Sequence, residues 1–407
     1  MFVQMHAFNL QQRAFSASRS PAVGTVVVAG SLAQKPKHGG HTWVFLQYLL
    51  GFKRLGWDVL FIDQLEPTMC VDDFGRSCGL DQSLNLRYLL NVMDRFGLND
   101  SFALIYNRGE RFVGLSRQGV IERVKNSALL LNVMGFLTDE AILACSTKRV
   151  FLDIDPGFGQ MWCALGLHDA FKGHDAFVTI GENIGQPDCT IPTCGLEWTT
   201  TAQPVVLDYW QPPAVNNGGH LTSVASWRGP FGPVEYRGKT YGLRVHEFRK
   251  FATLPCLSGR TFQVALDIHP AEGDDIELLT RNGWSLMDSK AVAGDPCSYQ
   301  SYIQGSKAEF MVAKNMYVQT NGGWFSDRSI CYLASGKPVL AQDTGLKGRY
   351  PTGAGLLFFN TVEEALSGLE ELSRDYARHA RVARAIAEDY FDSDVVLRRL
   401  LSKLGIA

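Results

Sequence analysis

The residue types able to do chemistry concentrate between positions 306 and 345, SKAEFMVAKNMYVQTNGGWFSDRSICYLASGKPVLAQDTG. A cation, Lys314, precedes a glycine-containing loop (Asn321-Gly322-Gly323), and the loop runs into Ser326, Asp327, Arg328 and Ser329. Serine and aspartate at a helix start accept hydrogen bonds from the first free backbone N–H groups. Such a start, with its partial positive charge and a neighbouring arginine, is an anion site, most often for phosphate. A second cluster lies near the beginning of the chain, where Gly39 and Gly40 precede His41 at the head of another helical pattern. The helix dipole there favours a neutral imidazole, which can take a proton from a hydroxyl near neutral pH. Asp153, Asp155 and Glu182 end apolar runs and could orient His41 or act as the base themselves. Plainer readings stand beside these: His41 as a contact to backbone or phosphate, and strand-end carboxylates as caps.

Elements that would position these groups follow from the apolar pattern. Ala308–Ala313 reads as a buried strand, and Ile330, Leu333 and Ala334 give the next helix one buried face. Gly336 and Pro338 end that helix, and Val339–Ala341 resumes a strand that runs into Gln342 to Gly345. Such a strand–loop–helix–strand unit sets its free N–H groups at the carboxyl edge of a parallel sheet. The same order opens the chain: strand Thr25–Ala29, polar loop, a helix to about Leu55, then strand Asp58–Asp63. No G-x-G-x-x-G is present, so a dinucleotide site is poorly supported; in that reading Asp63 would bind ribose, and otherwise it is a cap.

Further strands are expected at Ala103–Ile105, Ala128–Val133, Val150–Ile154, Ala176–Ile180, Leu221–Trp227, Phe262–Ile268, Trp284–Asp288 and Leu356–Phe359. Helices are expected at Ser83–Phe96, Glu272–Asn282 and Asp295–Ser306, as one long helix from Thr361 to about Tyr390, and at Ser393–Leu404. The stretch from Asp188 to Gly219 is rich in Pro, Thr, Asn and Gly and reads as a linker. The expected fold is α/β with two Rossmann-like domains. A leader at 1–22 precedes a first domain at 23–208 and a second at 209–385, with a C-terminal helix at 386–407.

Composition narrows the function. A chain of 407 residues with net charge −2 suits two domains and offers no nucleic-acid surface. Apolar runs fall short of the ~20 residues of a membrane span. The nine cysteines are scattered without a C-x-x-C, which fits reduced thiols in the cytoplasm and no structural metal.

YLASGKPVLAQDTG resembles the "A-x-A-x-G-x-P-V-V-A-x-D-x-G" run of GT-B glycosyltransferases of the family-four and family-one type, and the Gly39-Gly40 unit is similar to the start of those enzymes. The resemblance implies two domains facing across a cleft and a last helix that often crosses back to the first domain. It also implies hexosyl transfer from a UDP-, GDP- or dTDP-linked sugar to a small-molecule or glycan acceptor, with no metal and no separate cofactor. Gly39 and Gly40 would then face the cleft. Arg228, just after the first strand of the second domain, would join Lys314 and the Ser326–Ser329 helix start around the diphosphate. Asp343, Thr344 and Gly345 would face the sugar. Many retaining members carry two glutamates here, and those positions are Gly323 and Cys331 in this chain. The D-x-D of Asp153 and Asp155 also resembles the metal motif of the GT-A class, but the two nucleotide-type units favour GT-B. The alternative is a nucleotide-sugar epimerase, another enzyme on the same fold, or a binding protein.

Overall fold

The structure is a computed structural model that describes residues 22–213, 219–229 and 231–406. All but the last residue of the expected leader therefore lies outside the described residues.

Two large sheets and a two-stranded hairpin carry the described residues. The first contains β1 (Thr25–Gly30), β2 (Asp58–Leu65), β3 (Phe102–Tyr106), β4 (Arg111–Gly114), β5 (Ser127–Val133), β6 (Arg149–Asp153), β7 (Ala176–Thr179) and β8 (Trp198–Thr200). Its order is β4-β3-β2-β1-β5-β6-β7-β8, parallel throughout except for the hairpin strand β4. The central strand shows why: Val26 and Val28 enter the main core on one face, and Val27 and Ala29 a second core on the other. A strand buried on both sides has no polar face and reads as a continuous apolar run.

The second domain contains β9 (Leu221–Ser226), the hairpin β10 (Val234–Tyr236) and β11 (Lys239–Tyr241), β12 (Phe262–Asp267), β13 (Trp284–Asp288), β14 (Ala308–Met311), β15 (Val339–Gln342) and β16 (Leu356–Phe359). Its main sheet runs β13-β12-β9-β14-β15-β16, with every pairing parallel. Strand order reverses between β9 and β14, and in the first sheet between β1 and β5. Crevices that bind ligands open outside the carboxyl ends of strands at such reversals.

The chain passes between the domains twice, side by side. Val205 donates its N–H to the Phe391 carbonyl (2.8 Å), and Ser393 donates to the Val205 carbonyl (2.9 Å). The last helix, Ser393–Lys403, then packs on the first, Gly39–Arg54. Gly51 permits the close approach, since a Cβ there would meet Leu397 at 2.6 Å. Arg54 pairs with Asp394 at 3.1 Å across the same contact.

Three expectations change. The segment from Asp188 is not linker throughout, because β8 lies within it. The long helix from Thr361 is two helices, Val362–Arg374 and Tyr376–Ile386, broken at Asp375, whose carboxylate caps the second by accepting from the Arg378 N–H (3.0 Å). Two short helices, Arg244–Phe248 and Asn315–Thr320, occupy stretches that carried no element in the sequence reading.

Candidate functional site

The carboxyl ends of the two sheets enclose a cleft of about 800 Å³. One wall is the loop after β1 with the helix start behind it, from Lys35 to His41. The other is made by residues following β9, β12, β13 and β14 together with Asp327 and Arg328. Among the described residues, seven lysines and arginines but three carboxylates line it, in a chain whose net charge is −2. Such an excess of positive charge in a cleft attracts anions.

At the floor, Ser326 caps the helix Asp327–Ala334 by accepting from the Arg328 N–H (3.2 Å). Arg328 does not reach into solvent. Its Nε pairs with the fully buried Glu309 of β14, its Nη1 donates to the Val224 carbonyl (2.6 Å), and its Nη2 is buried without a partner. Arg244 was not foreseen as a site residue. It is buried at the start of its short helix, donates through Nη1 to the Val312 carbonyl, and keeps an unpartnered Nε. Burial, helped by the charge of Arg328, lowers its pKa to about 10. Asp327 also lines the cleft, its carboxyl pushed up by burial. Ser326 and Ser329 do not line it; the Ser329 hydroxyl is fully buried without a partner.

Arg228 lines the cleft with its guanidinium already on the Glu272 carboxylate (Nη2 to Oε2, 2.8 Å). Lys314 caps nothing by its side chain. It pairs with Asp155 at 2.6 Å, with its ammonium 5.2 Å from the Phe158 ring centre, and so joins the two domains.

On the opposite wall, the His41 Nε2 lies 3.2 Å from the Ser31 carbonyl oxygen and 3.0 Å from the Ser31 hydroxyl. A carbonyl can only accept, so this geometry assigns the proton to Nε2 and leaves Nδ1 as the basic nitrogen. Burial and the charge of Lys35 hold His41 neutral, well below its ordinary pKa. Gly39 and Gly40 line the cleft, but the closest neighbour of each is the second domain. A Cβ on Gly39 would meet the Asp295 carbonyl at 2.4 Å, and one on Gly40 the Tyr299 ring at 2.9 Å. Asp63 is a cap: its buried carboxylate accepts from the Ala33 N–H at 2.6 Å.

The remaining candidates lie outside the cleft lining. Asp153 is buried and accepts from Gln160 (2.7 Å), Thr179 (2.8 Å) and the Asp155 N–H (3.1 Å), tying the ends of β6 and β7 together. Asp155 is occupied by Lys314 and the Tyr317 hydroxyl. Glu182 holds Tyr350 and Arg349 of the second domain. Asp343 caps its own turn through the N–H groups of Gly345 (3.0 Å) and Leu346 (2.9 Å). Thr344 is buried and donates to the Trp324 carbonyl (2.6 Å), and the Gly345 carbonyl accepts from Asn183 (2.9 Å). Of the three only Gly345 bonds to the first domain, and none of them lines the cleft, where the sequence reading had set them against the sugar.

The two glutamate positions have the same explanation. A Cβ on Gly323, where φ is +67°, would stand 2.8 Å from the Asn183 backbone nitrogen, and Cys331 is packed beside Gln47 of the first helix (3.7 Å). Both positions are spent on contact between the domains.

No protein-family model and no curated protein sequence matches the chain. Solved structures do. The Anabaena protein HepE in complex with UDP and glucose aligns over 94% of this chain and 99% of its own, at 12% identity and a TM-score of 0.57. Sucrose-phosphate synthase from Thermosynechococcus elongatus covers the same shares at 9% identity and 0.54. A glycosyltransferase from Rickettsia africae covers 93% and 97% at 12% identity and 0.51. The fold is that of the GT-B glycosyltransferases, with two Rossmann-like domains.

Proposed function

We propose that the chain is a glycosyltransferase that moves a hexosyl group from a nucleoside-diphosphate sugar to an acceptor hydroxyl without a metal. One observation carries this reading: Arg244 and Arg328 line the floor of the cleft, each with a buried N–H that lacks a partner among the described residues. A buried donor left unpaired costs about 1–3 kcal/mol. A diphosphate oxygen satisfies it at a point where the growing negative charge of the leaving group needs stabilisation.

In the step itself, the acceptor oxygen bonds to the anomeric carbon as the bond from that carbon to the diphosphate oxygen breaks. The bonding pair leaves with the nucleoside diphosphate. The acceptor proton passes to His41 Nδ1 in this reading, and Arg244, Arg328 and Lys314 balance the leaving charge. UDP is the first nucleotide to try, because the HepE complexes hold UDP and glucose in one case and UDP-glucose in the other. Nine free thiols suit a reducing cytoplasm. Among the described residues, no helix is long and apolar enough to cross a membrane.

The test is release of nucleoside diphosphate from UDP-, GDP- and dTDP-linked sugars, with and without EDTA. Slow release without acceptor that survives chelation is the expected result. Loss on chelation with recovery on manganese would contradict metal independence. Return of an isomeric nucleotide sugar would make the protein an epimerase, and binding without turnover a carrier.

A further inference from the structure

The first-domain wall of the cleft holds positive charge that the donor does not account for. Lys35 and Lys37 line it together with His38 and His41, and among the described residues no carboxylate lines that wall. Among the described residues, neither lysine has an ion-pair partner. The carboxylate whose charge acts on Lys35 is Asp155, and that one is already taken by Lys314 (2.6 Å) and the Tyr317 hydroxyl. Lys35 is partly buried, with its ammonium 5.6 Å from the Phe136 ring centre. An ammonium partly withdrawn from water with no ion pair of its own is costly and favours an arriving anion. Consistent with this, burial lowers the pKa of Lys35.

The loop that presents these lysines is fixed. Ala33 gives its N–H to buried Asp63 (2.6 Å), and its carbonyl accepts from Asn85 (2.8 Å). Gln34 donates to the Gln64 carbonyl (2.8 Å), and Lys35 donates its N–H to the Leu32 carbonyl (3.2 Å). Lys37 is held at φ +60°, a backbone state uncommon for a residue with a side chain. The opposite wall offers Arg244, Arg328 and Lys290 to a diphosphate.

We infer that the acceptor carries an anionic group, a phosphate monoester or a carboxylate, seated between Lys35 and Lys37. The inference rests on the transferase reading and names the class of its second substrate.

The experiment measures UDP release from UDP-glucose with matched probes: glucose, glucose 6-phosphate and glucuronate, then glycerol and glycerol phosphate. UDP binding is measured separately by titration calorimetry. Anionic probes should stimulate release at KM values at least roughly tenfold below their neutral partners, the scale of one charge-assisted contact. Phosphates outperforming glucuronate identify a phosphate monoester as the source, and the reverse a carboxylate. Lys35→Gln should raise the KM of the effective probe by roughly tenfold, with Lys35→Arg recovering part. Lys37→Asn, which tolerates the left-handed backbone, should act in the same direction. UDP affinity should stay within about threefold in each variant.

Neutral probes that match the anionic ones, in a protein that binds UDP, would overturn the inference and leave the transferase reading standing. A tenfold loss of UDP affinity in Lys35→Gln would instead make Lys35 a donor-site residue and also overturn it. A wild-type protein that binds no UDP would remove the transferase reading itself, and this inference with it.

Discussion

At one end of the cleft, lined by the segments after β1 and β13, Lys35, Lys37 and Lys290 have no ion-pair partners among the described residues. At the other end, the loop after the helix Asn315–Thr320 and the loop after β15 are covered. Residues 181–184 of the first domain hydrogen-bond to residues 321–323 and to Gly345, and Gly181 bridges to Trp324. Both ends lie at the carboxyl edges of parallel sheets, where fold alone would place ligand contacts. The difference lies in what the polar groups touch. Residues paired across the domains hold the closed end shut, and cations without ion-pair partners among the described residues line the open end. Of the departures from the glycosyltransferase pattern, Gly323 falls at the closed end and Cys331 lies against the first helix, and contact between domains explains both.

The largest effect expected at the boundary between the two ends comes from Arg328. Arg328→Ala leaves Glu309 buried and uncompensated, which costs about 3–5 kcal/mol and should appear in urea unfolding. Arg328→Met combined with Glu309→Gln should recover much of that loss, because no buried charge then remains. A single variant as stable as wild type would place the guanidinium in solvent and undo the assignment of the floor.

Restoring the missing glutamate at the closed end should fail for a steric reason. Gly323→Glu adds a Cβ against backbone at a positive φ, and overpacking of that kind costs about 1–3 kcal/mol. A lower unfolding midpoint without tighter UDP binding is the expected outcome. Gain of UDP-glucose affinity would show that this end is open to the donor after all.

A smaller effect concerns the loop of the open end. Burial pushes Asp63 up to about 7, above its ordinary value near 4. Between those two pH values the folded chain binds more protons than the unfolded one, so the contribution of Asp63 to stability is full below about pH 4 and is lost as pH rises to about 7. Relative to Asp63→Asn, wild-type stability should therefore decline across that window and run level above it. A flat difference in unfolding free energy from pH 4 to pH 8 would contradict the burial of this carboxylate.

Much of this architecture was legible in the sequence, because strands buried on both faces write continuous apolar runs. The β1 run TVVVA and the β16 run LLFF are cases in point. The break at Asp375 was also legible in retrospect, since aspartate is a favoured N-cap residue for the helix that follows it. The helix Asn315–Thr320 could have been found from the spacing of Met316, Tyr317 and Thr320, all buried. The site was less legible. Arg328 was correctly placed at a helix start, yet its pairing required noticing that Glu309, a charge inside the apolar strand Ala308–Met311, must have a buried partner. Arg244 and Lys35 gave no local signal, because their place in the cleft depends on how a hairpin and a loop dock onto elements distant in the chain.

The central claim is that the open end binds a nucleoside diphosphate through buried guanidiniums. Titration calorimetry of UDP against wild type and Arg244→Gln tests it most directly, with unfolding measured on both proteins. The account predicts saturable one-site binding by wild type and roughly 10- to 150-fold weaker binding by the variant, the range set by one charge-assisted contact of about 1.5–3 kcal/mol. Equal UDP affinity in the two folded proteins, or no binding by wild type at millimolar UDP, would contradict it.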